Sequence, residues 1–194
     1  FASNIIAAIL SIVTANLLGV AVFGLLGIIT GFVSNVNLLL SFRMGDVVVK
    51  YMGESLAHGE TERAAAVVKL AGLVETGTSL LAFGALTLLA PLGARFFAKD
   101  MALTPLFLIF GLSILANFST ETATGVLQVT NHFRSQALIN LVQSVLVAVL
   151  VLLIAVRGAS LELVLLAYLT GKVVMGLGPI VVAVFWLPRS GEPE

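Results

Sequence analysis

Cysteine is absent from the 194 residues, which excludes disulfides, thiolate metal sites and cysteine nucleophiles. Charge is scarce: Asp, Glu, Lys and Arg together make up 10% of the chain, where a soluble domain carries about 25%. Ten basic residues balance ten acidic ones, so nothing suggests a nucleic-acid partner or a strongly charged soluble one. No Gly-rich phosphate loop follows a strand, no paired His or acidic metal constellation is present, and no Ser has an identifiable base. The sequence therefore points away from an enzyme and implies no cofactor. The first apolar run has neither an initial Met nor a charged segment before it, so residues 1–18 do not read as a signal peptide. The chain reads as a piece of something longer.

What is present is apolar. Hydrophobic residues make up 59% of the chain and the mean hydropathy is +1.13. A membrane-spanning helix takes roughly 20 mostly apolar residues, whereas a membrane β-barrel shows alternating segments of about ten. The runs here are long and continuously apolar. The expected fold is all-α, a polytopic membrane bundle of about six spans over residues 1–17, 22–42, 62–90, 103–129, 135–156 and 161–187. Pro91 is expected to stop the third, and Gly59 and Thr61 to cap the turn before it. Between the second and third spans, Met44, Val47, Val48, Tyr51, Met52 and Leu56 recur at near i, i+3, i+4 spacing. Residues 43–61 therefore read as an amphipathic helix in the membrane interface. Trp186 marks a further interface.

Six spans put both ends on one side. With the 43–66 segment cytoplasmic, that side receives Arg43, Lys50, Arg63, Lys69, Arg134 and Arg189, against Arg95, Lys99 and Arg157 on the other. The positive-inside rule then favours cytoplasmic ends in a cell membrane.

Polar residues interrupt the spans in register. At 100° per residue, Ser113, Asn117, Thr120, Glu121, Thr124 and Gln128 share a sector of about 100°. Gln136, Asn140, Gln143 and Ser144 continue the stripe on the next span, Thr30, Ser34, Asn37 and Ser41 mark the second, and Lys69, Gly72, Thr76 and Ser79 the third, with Glu75 at its edge. Ser, Thr and Gly stripes also serve as packing contacts between membrane helices, but Asn, Gln and Glu fit that role less well than a water-filled cavity. The cavity reading takes Asn37, Asn117, Glu121, Thr124, Gln128, Asn140, Gln143 and Lys172 as its lining. Lys172 sits mid-span, where snorkelling is hardest; it either lines the cavity or pairs with Glu75 or Glu121. Glu75 and Glu121 are candidates for ion coupling, with a solvated helix end as the alternative for Glu121. Arg43 and Arg134 are candidates for a headgroup contact or cytoplasmic gate, Arg134 being equally a plain interfacial anchor, and His132 reads as part of an ordinary turn.

Three segments carry a resemblance: "LLGVAVFGLLGI" at 17–28, "FRMGDVVVKYMGE" with "GETERAAAVVK" over 42–69, and "TGVLQVTNHFRSQALI" at 124–139. They resemble the polysaccharide-biosynthesis or lipopolysaccharide O-unit flippases of the multidrug/oligosaccharidyl-lipid/polysaccharide exporter superfamily. Ala15 and Asn16 depart from the pattern, a basic residue often preceding the Leu-Gly pair. The resemblance implies one N-terminal lobe of a two-lobe transporter, the missing C-terminal lobe being its partner. It also implies a lipid-linked oligosaccharide substrate, carried on an isoprenoid pyrophosphate and moved between leaflets by alternating access. Three rivals remain: a cation-coupled multidrug exporter of the same superfamily, a membrane-embedded lipid-modifying enzyme using Glu121 and His132, and a non-transporting scaffold.

Overall fold

The computed structural model describes residues 2–158 and 160–186, and among these every regular element is helical. The order is α1 (Ala2–Leu18), α2 (Val20–Leu40), α3 (Met44–Ala57), α4 (Thr61–Gly93), a π turn (Ala94–Ala98), a 3-10 turn (Met101–Leu103), α5 (Thr104–Ala116), α6 (Thr120–Val129), α7 (Phe133–Arg157) and α8 (Leu161–Trp186). Gly19, at φ 77, and Gly59, at φ 75, take the left-handed backbone at which α1 and α3 end. The expected Thr61 cap is not made: Glu60 occupies the cap position, with no side-chain hydrogen bond to the helix. Pro91 does not stop the third span either, because α4 runs past it to Gly93 and continues as the π turn.

Five stretches are long and apolar enough to cross a membrane: Val20–Leu40, Thr61–Ala98, Met101–Val129, Phe133–Val156 and Leu161–Val184. The first of the six expected spans, seen as Asn4–Leu18, is shorter than that. Three assignments lie outside what the structure describes: Arg189 and the side chains of Arg157 and Trp186.

The expected single helix over 103–129 is two. α5 ends at Ala116 and α6 begins at Thr120, with Asn117 to Ser119 between them. The 13 residues of α5 reach only about 20 Å at ~1.5 Å per residue, so this crossing needs both pieces. α3 is amphipathic as expected, but only part of its apolar side is open to the membrane interface: Val47 and Tyr51 are exposed, while Val48 and Met52 are covered by protein. Val48 and Met52 are fully buried among Ala64, Val68 and Ala71 of α4 and Ala123, Val126 and Leu127 of α6. Close approach is possible because Gly125 lies directly over the Gly45 carbonyl and the Val48 side chain, where a Cβ would come within 2.9 Å.

Two large apolar cores result. One joins Leu26, Ile29 and Val33 of α2, Leu86 of α4, Phe107, Phe110 and Ile114 of α5, and Val164 and Leu165 of α8. The other is the α3–α4–α6 core with Ala183 of α8. A smaller cluster of Leu10, Val147, Val151 and Ala167 ties α1 and α7 to α8. Along α4 the first core takes residues 82–94 and the second residues 64–71; Glu75, Thr78 and Ser79 fall between. Along α5 and α6 the helix break falls between. Along α8, Lys172 and Gly176 do. The polar residues of the spans thus form a layer separating two apolar cores.

Candidate functional site

The break in the fourth span organises this layer. A helix end at membrane depth exposes amide and carbonyl groups that lipid cannot satisfy, so each must find a partner within the protein or in trapped water. The carbonyl side is closed locally: the Asn117 amide bonds to Ser113 and Ile114, the Phe118 amide to Leu115 and the Thr120 amide to Asn117. Asn117 Nδ2 adds a 2.6 Å hydrogen bond to the Ser113 carbonyl, and Thr76 Oγ1 of α4 approaches the Phe118 carbonyl at 3.4 Å.

The amide side is closed from another helix. Ser119 precedes α6 but makes no side-chain cap. Glu75 of α4 makes it instead, its Oε1 accepting from the Glu121 amide at 2.8 Å and its Oε2 from the Thr122 amide at 2.9 Å. The carboxylate is 6% exposed and meets the positive end of the α6 dipole, the placement that favours an anion. The Thr122 hydroxyl is buried in the same place, beside the Glu75 carboxylate. Glu75, a candidate for ion coupling, is thus placed both as the cap of α6 and in the wall of the cleft beside the break.

α8 locks the break from the other side. Thr120 Oγ1 donates to the Gly176 carbonyl at 3.1 Å and contacts Asn117 Oδ1 at 3.3 Å. Gly176 packs so closely on the Ala116 carbonyl and Asn117 that any Cβ would overlap them. Three residues on, Pro179 lies inside α8, so the carbonyl of Met175 loses its usual helical amide partner.

Beside the break is a cleft of about 220 Å³ lined by Asn37, Ser41, Glu75, Asn117, Glu121 and Lys172, among others. It adjoins a second recess of about 260 Å³ that shares Asn37, Ser41, Asn117, Glu121 and Lys172 and adds Ser34 and Ser113. Four expected cavity residues, Asn37, Asn117, Glu121 and Lys172, therefore meet in one place, drawn from α2, the α5–α6 break, α6 and α8. Glu121 and Lys172 are exposed there. Among the described residues the ion pairs are Arg43–Asp46 and Arg63–Glu60. Lys172 is in neither, so the alternative of a structural pair with Glu75 or Glu121 is not what the structure shows.

The other expected residues lie elsewhere. Thr124 and Gln128 do not line either recess: on the same face of α6 they lie about one and two turns beyond Thr120, which does line the cleft. Gln143 lies against Gly171 at the α7–α8 contact. Asn140 presents its carbonyl to the Ser144 hydroxyl at 2.9 Å. Both fit the packing reading of the α7 stripe. Arg43 precedes α3 and pairs at 3.1 Å with Asp46, Arg134 is exposed in the first turn of α7, and neither lines the recesses. His132 contacts Thr130 Oγ1 at 3.0 Å, in a turn where Asn131 takes φ 59. Thr78 and Met175 line the cleft without having been expected; Met175 follows Lys172 at i+3 on α8, the only signal that would have found it. The break itself had a signal in "NFST", three helix-capping residue types in four positions.

Among the described residues no group of three or more His, Cys, Asp or Glu is placed to hold a metal. No curated protein and no solved structure matches the chain. The family model described as "Polysaccharide biosynthesis protein" matches residues 1–193. A polytopic all-α membrane chain with a polar layer between its apolar cores, matched over that length, belongs to the polysaccharide biosynthesis protein family.

Proposed function

We propose that this chain is a transporting lobe, not an enzyme, and that it moves an isoprenoid-pyrophosphate-linked oligosaccharide across the cell membrane by alternating access. The observation that carries the reading is Lys172, a cation outside any ion pair among the described residues, in a cleft edged by Asn37, Ser41 and Asn117. Amide and hydroxyl groups exchange hydrogen bonds with sugar hydroxyls, and an ammonium in a partly desolvated site binds a pyrophosphate more strongly than it does in water. The lipid tail stays in the bilayer alongside the exposed apolar faces. A cation-coupled drug exporter, the nearest rival, would suit a more apolar and aromatic lining than this one. In orientation, α3 and the start of α4 face the cytoplasm. Supporting this are Arg43, Lys50, Arg63 and Lys69 at that end of the bundle and Arg95 and Lys99 at the other.

Lys172→Ala is expected to lower oligosaccharide export by about tenfold or more, the worth of one charge-assisted contact, without reducing the amount of protein in the membrane. Lys172→Arg should restore part of it. Export is read as surface polysaccharide in cells that depend on this protein for it; unchanged export in Lys172→Ala removes the lysine from the site. The cleft has its own test. With no native cysteine, Asn37→Cys and Asn117→Cys should react with a membrane-impermeant thiol reagent in inside-out vesicles, while Leu152→Cys, on an exposed apolar face, should not. Equal inertness at all three positions would mean that the cleft is dry.

A further inference from the structure

A second site lies at the corner where α3 turns into α4, away from the polar cleft. Here a polar pocket of about 250 Å³, lined by Tyr51, Glu54, His58, Glu60 and Arg63, adjoins an apolar groove of about 380 Å³ lined by Met44, Val47, Leu70 and Val74. Tyr51 and Val67 line both. An apolar trough that opens into a charged pocket is the shape of one amphiphile. The groove is on the outer face of the bundle, where Leu70 and Leu73 are 65% and 71% exposed. Toward the start of α4 that face passes through Val67 to Arg63, about two turns from Leu70, the order in which hydrocarbon gives way to headgroups.

The charges choose among headgroups. The pocket holds two carboxylates, Glu54 and Glu60, against one guanidinium, Arg63, so an anionic lipid meets excess negative charge. Arg63 is paired with Glu60 at 2.9 Å; Glu54 enters no ion pair among the described residues. His58 places Nδ1 2.8 Å from the Glu54 carbonyl. A carbonyl only accepts, so Nδ1 carries a proton in this contact. The acceptor oxygens of two carboxylates match a primary ammonium with three N–H donors. The guanidinium, with donors beyond its bond to Glu60, matches a neighbouring phosphate.

We infer that this corner binds phosphatidylethanolamine from the cytoplasmic leaflet, with the ammonium between Glu54 and Glu60, the phosphate at Arg63, and one acyl chain along Val47, Leu70 and Val74. The site does not depend on what the cleft transports. It fastens α3 and α4 to a lipid at the corner they form.

The test is lipid retention. Purified protein is equilibrated with mixed micelles holding equal amounts of phosphatidylethanolamine, its mono- and dimethyl derivatives, phosphatidylcholine and phosphatidylglycerol, and the lipids that remain bound are counted by native mass spectrometry. Phosphatidylethanolamine should be enriched about fivefold or more over phosphatidylcholine, with retention falling at each methylation as a donor is lost. Glu54→Gln with Glu60→Gln should abolish the preference at exposed positions, with thermal unfolding unchanged. Equal retention along the methylation series, enrichment of phosphatidylglycerol, or a preference that survives the double substitution would overturn the assignment. The methylation series needs no variant, so a misfolded substitution does not leave the question open.

Discussion

Replacing Glu75 by alanine is expected to destabilise the protein by about 2–4 kcal/mol, because two amides at the start of α6 lose charged acceptors in a place where few other partners exist. Both bonds are short, 2.8 and 2.9 Å, and both end on a carboxylate that is almost wholly buried. Water entering from the cleft recovers part of the loss, which sets the lower bound. Glu75→Gln keeps an acceptor oxygen but turns an amide group with its own hydrogens toward donors, so about half of the loss should remain. The measurement is thermal unfolding in detergent, followed by hydrogen exchange at the Glu121 and Thr122 amides, which should lose protection before the rest of α6. An ion-coupling role for Glu75 adds a forecast to the cap: export would fall further than the loss of folded protein in the membrane accounts for. Stability and export in the same variant therefore separate a cap alone from a cap that also couples. Glu121, exposed in the cleft and bonded to Glu75 through its backbone only, is the other carboxylate open to a coupling role in the proposed transport cycle.

Gly176→Ala should cost about 2–3 kcal/mol, at the upper end of overpacking effects, because the obstacle to its methyl group is the backbone at Ala116 and not a side chain that can turn away. Moving α8 outward to make room would also break the 3.1 Å bond from Thr120 to the Gly176 carbonyl. Gly84→Ala on α4 supplies the contrast. Nothing lies within 4 Å of a Cβ there, and removing a mid-helix glycine gains up to about 1 kcal/mol. The two substitutions are chemically identical and should move the unfolding midpoint in opposite directions. A Gly176→Ala protein as stable as the parent would show that α8 is not held against the break.

The break also marks how far residues alone could be followed. The apolar runs reveal the helices, and Gly19 and Gly59 end two of them because only local backbone geometry is involved. Asn37, Asn117, Glu121 and Lys172 stand out as polar groups too costly to leave in lipid, and they do meet. Thr124 and Gln128 satisfy the same wheel and do not join them, since a wheel gives direction around a helix and not position along it, and they lie about one and two turns of α6 beyond Thr120. Gln143 lies against Gly171 of α8, where the same residue type serves helix contact. Burial of α3 between α4 and α6 was likewise hidden. An amphipathic pattern requires that one face be covered, but it is equally satisfied by lipid and by protein.

By itself the sequence determined the membrane as solvent, the helical class and the depth at which polar groups interrupt the apolar runs, because each follows from the cost of placing a given residue in hydrocarbon. Only the tertiary structure decided what those polar groups do. Glu75 lies 46 residues from Glu121, and Thr120 lies 56 residues from Gly176. Whether such a pair forms a cap, an ion pair or the wall of a cleft depends on distances between helices that no local pattern contains.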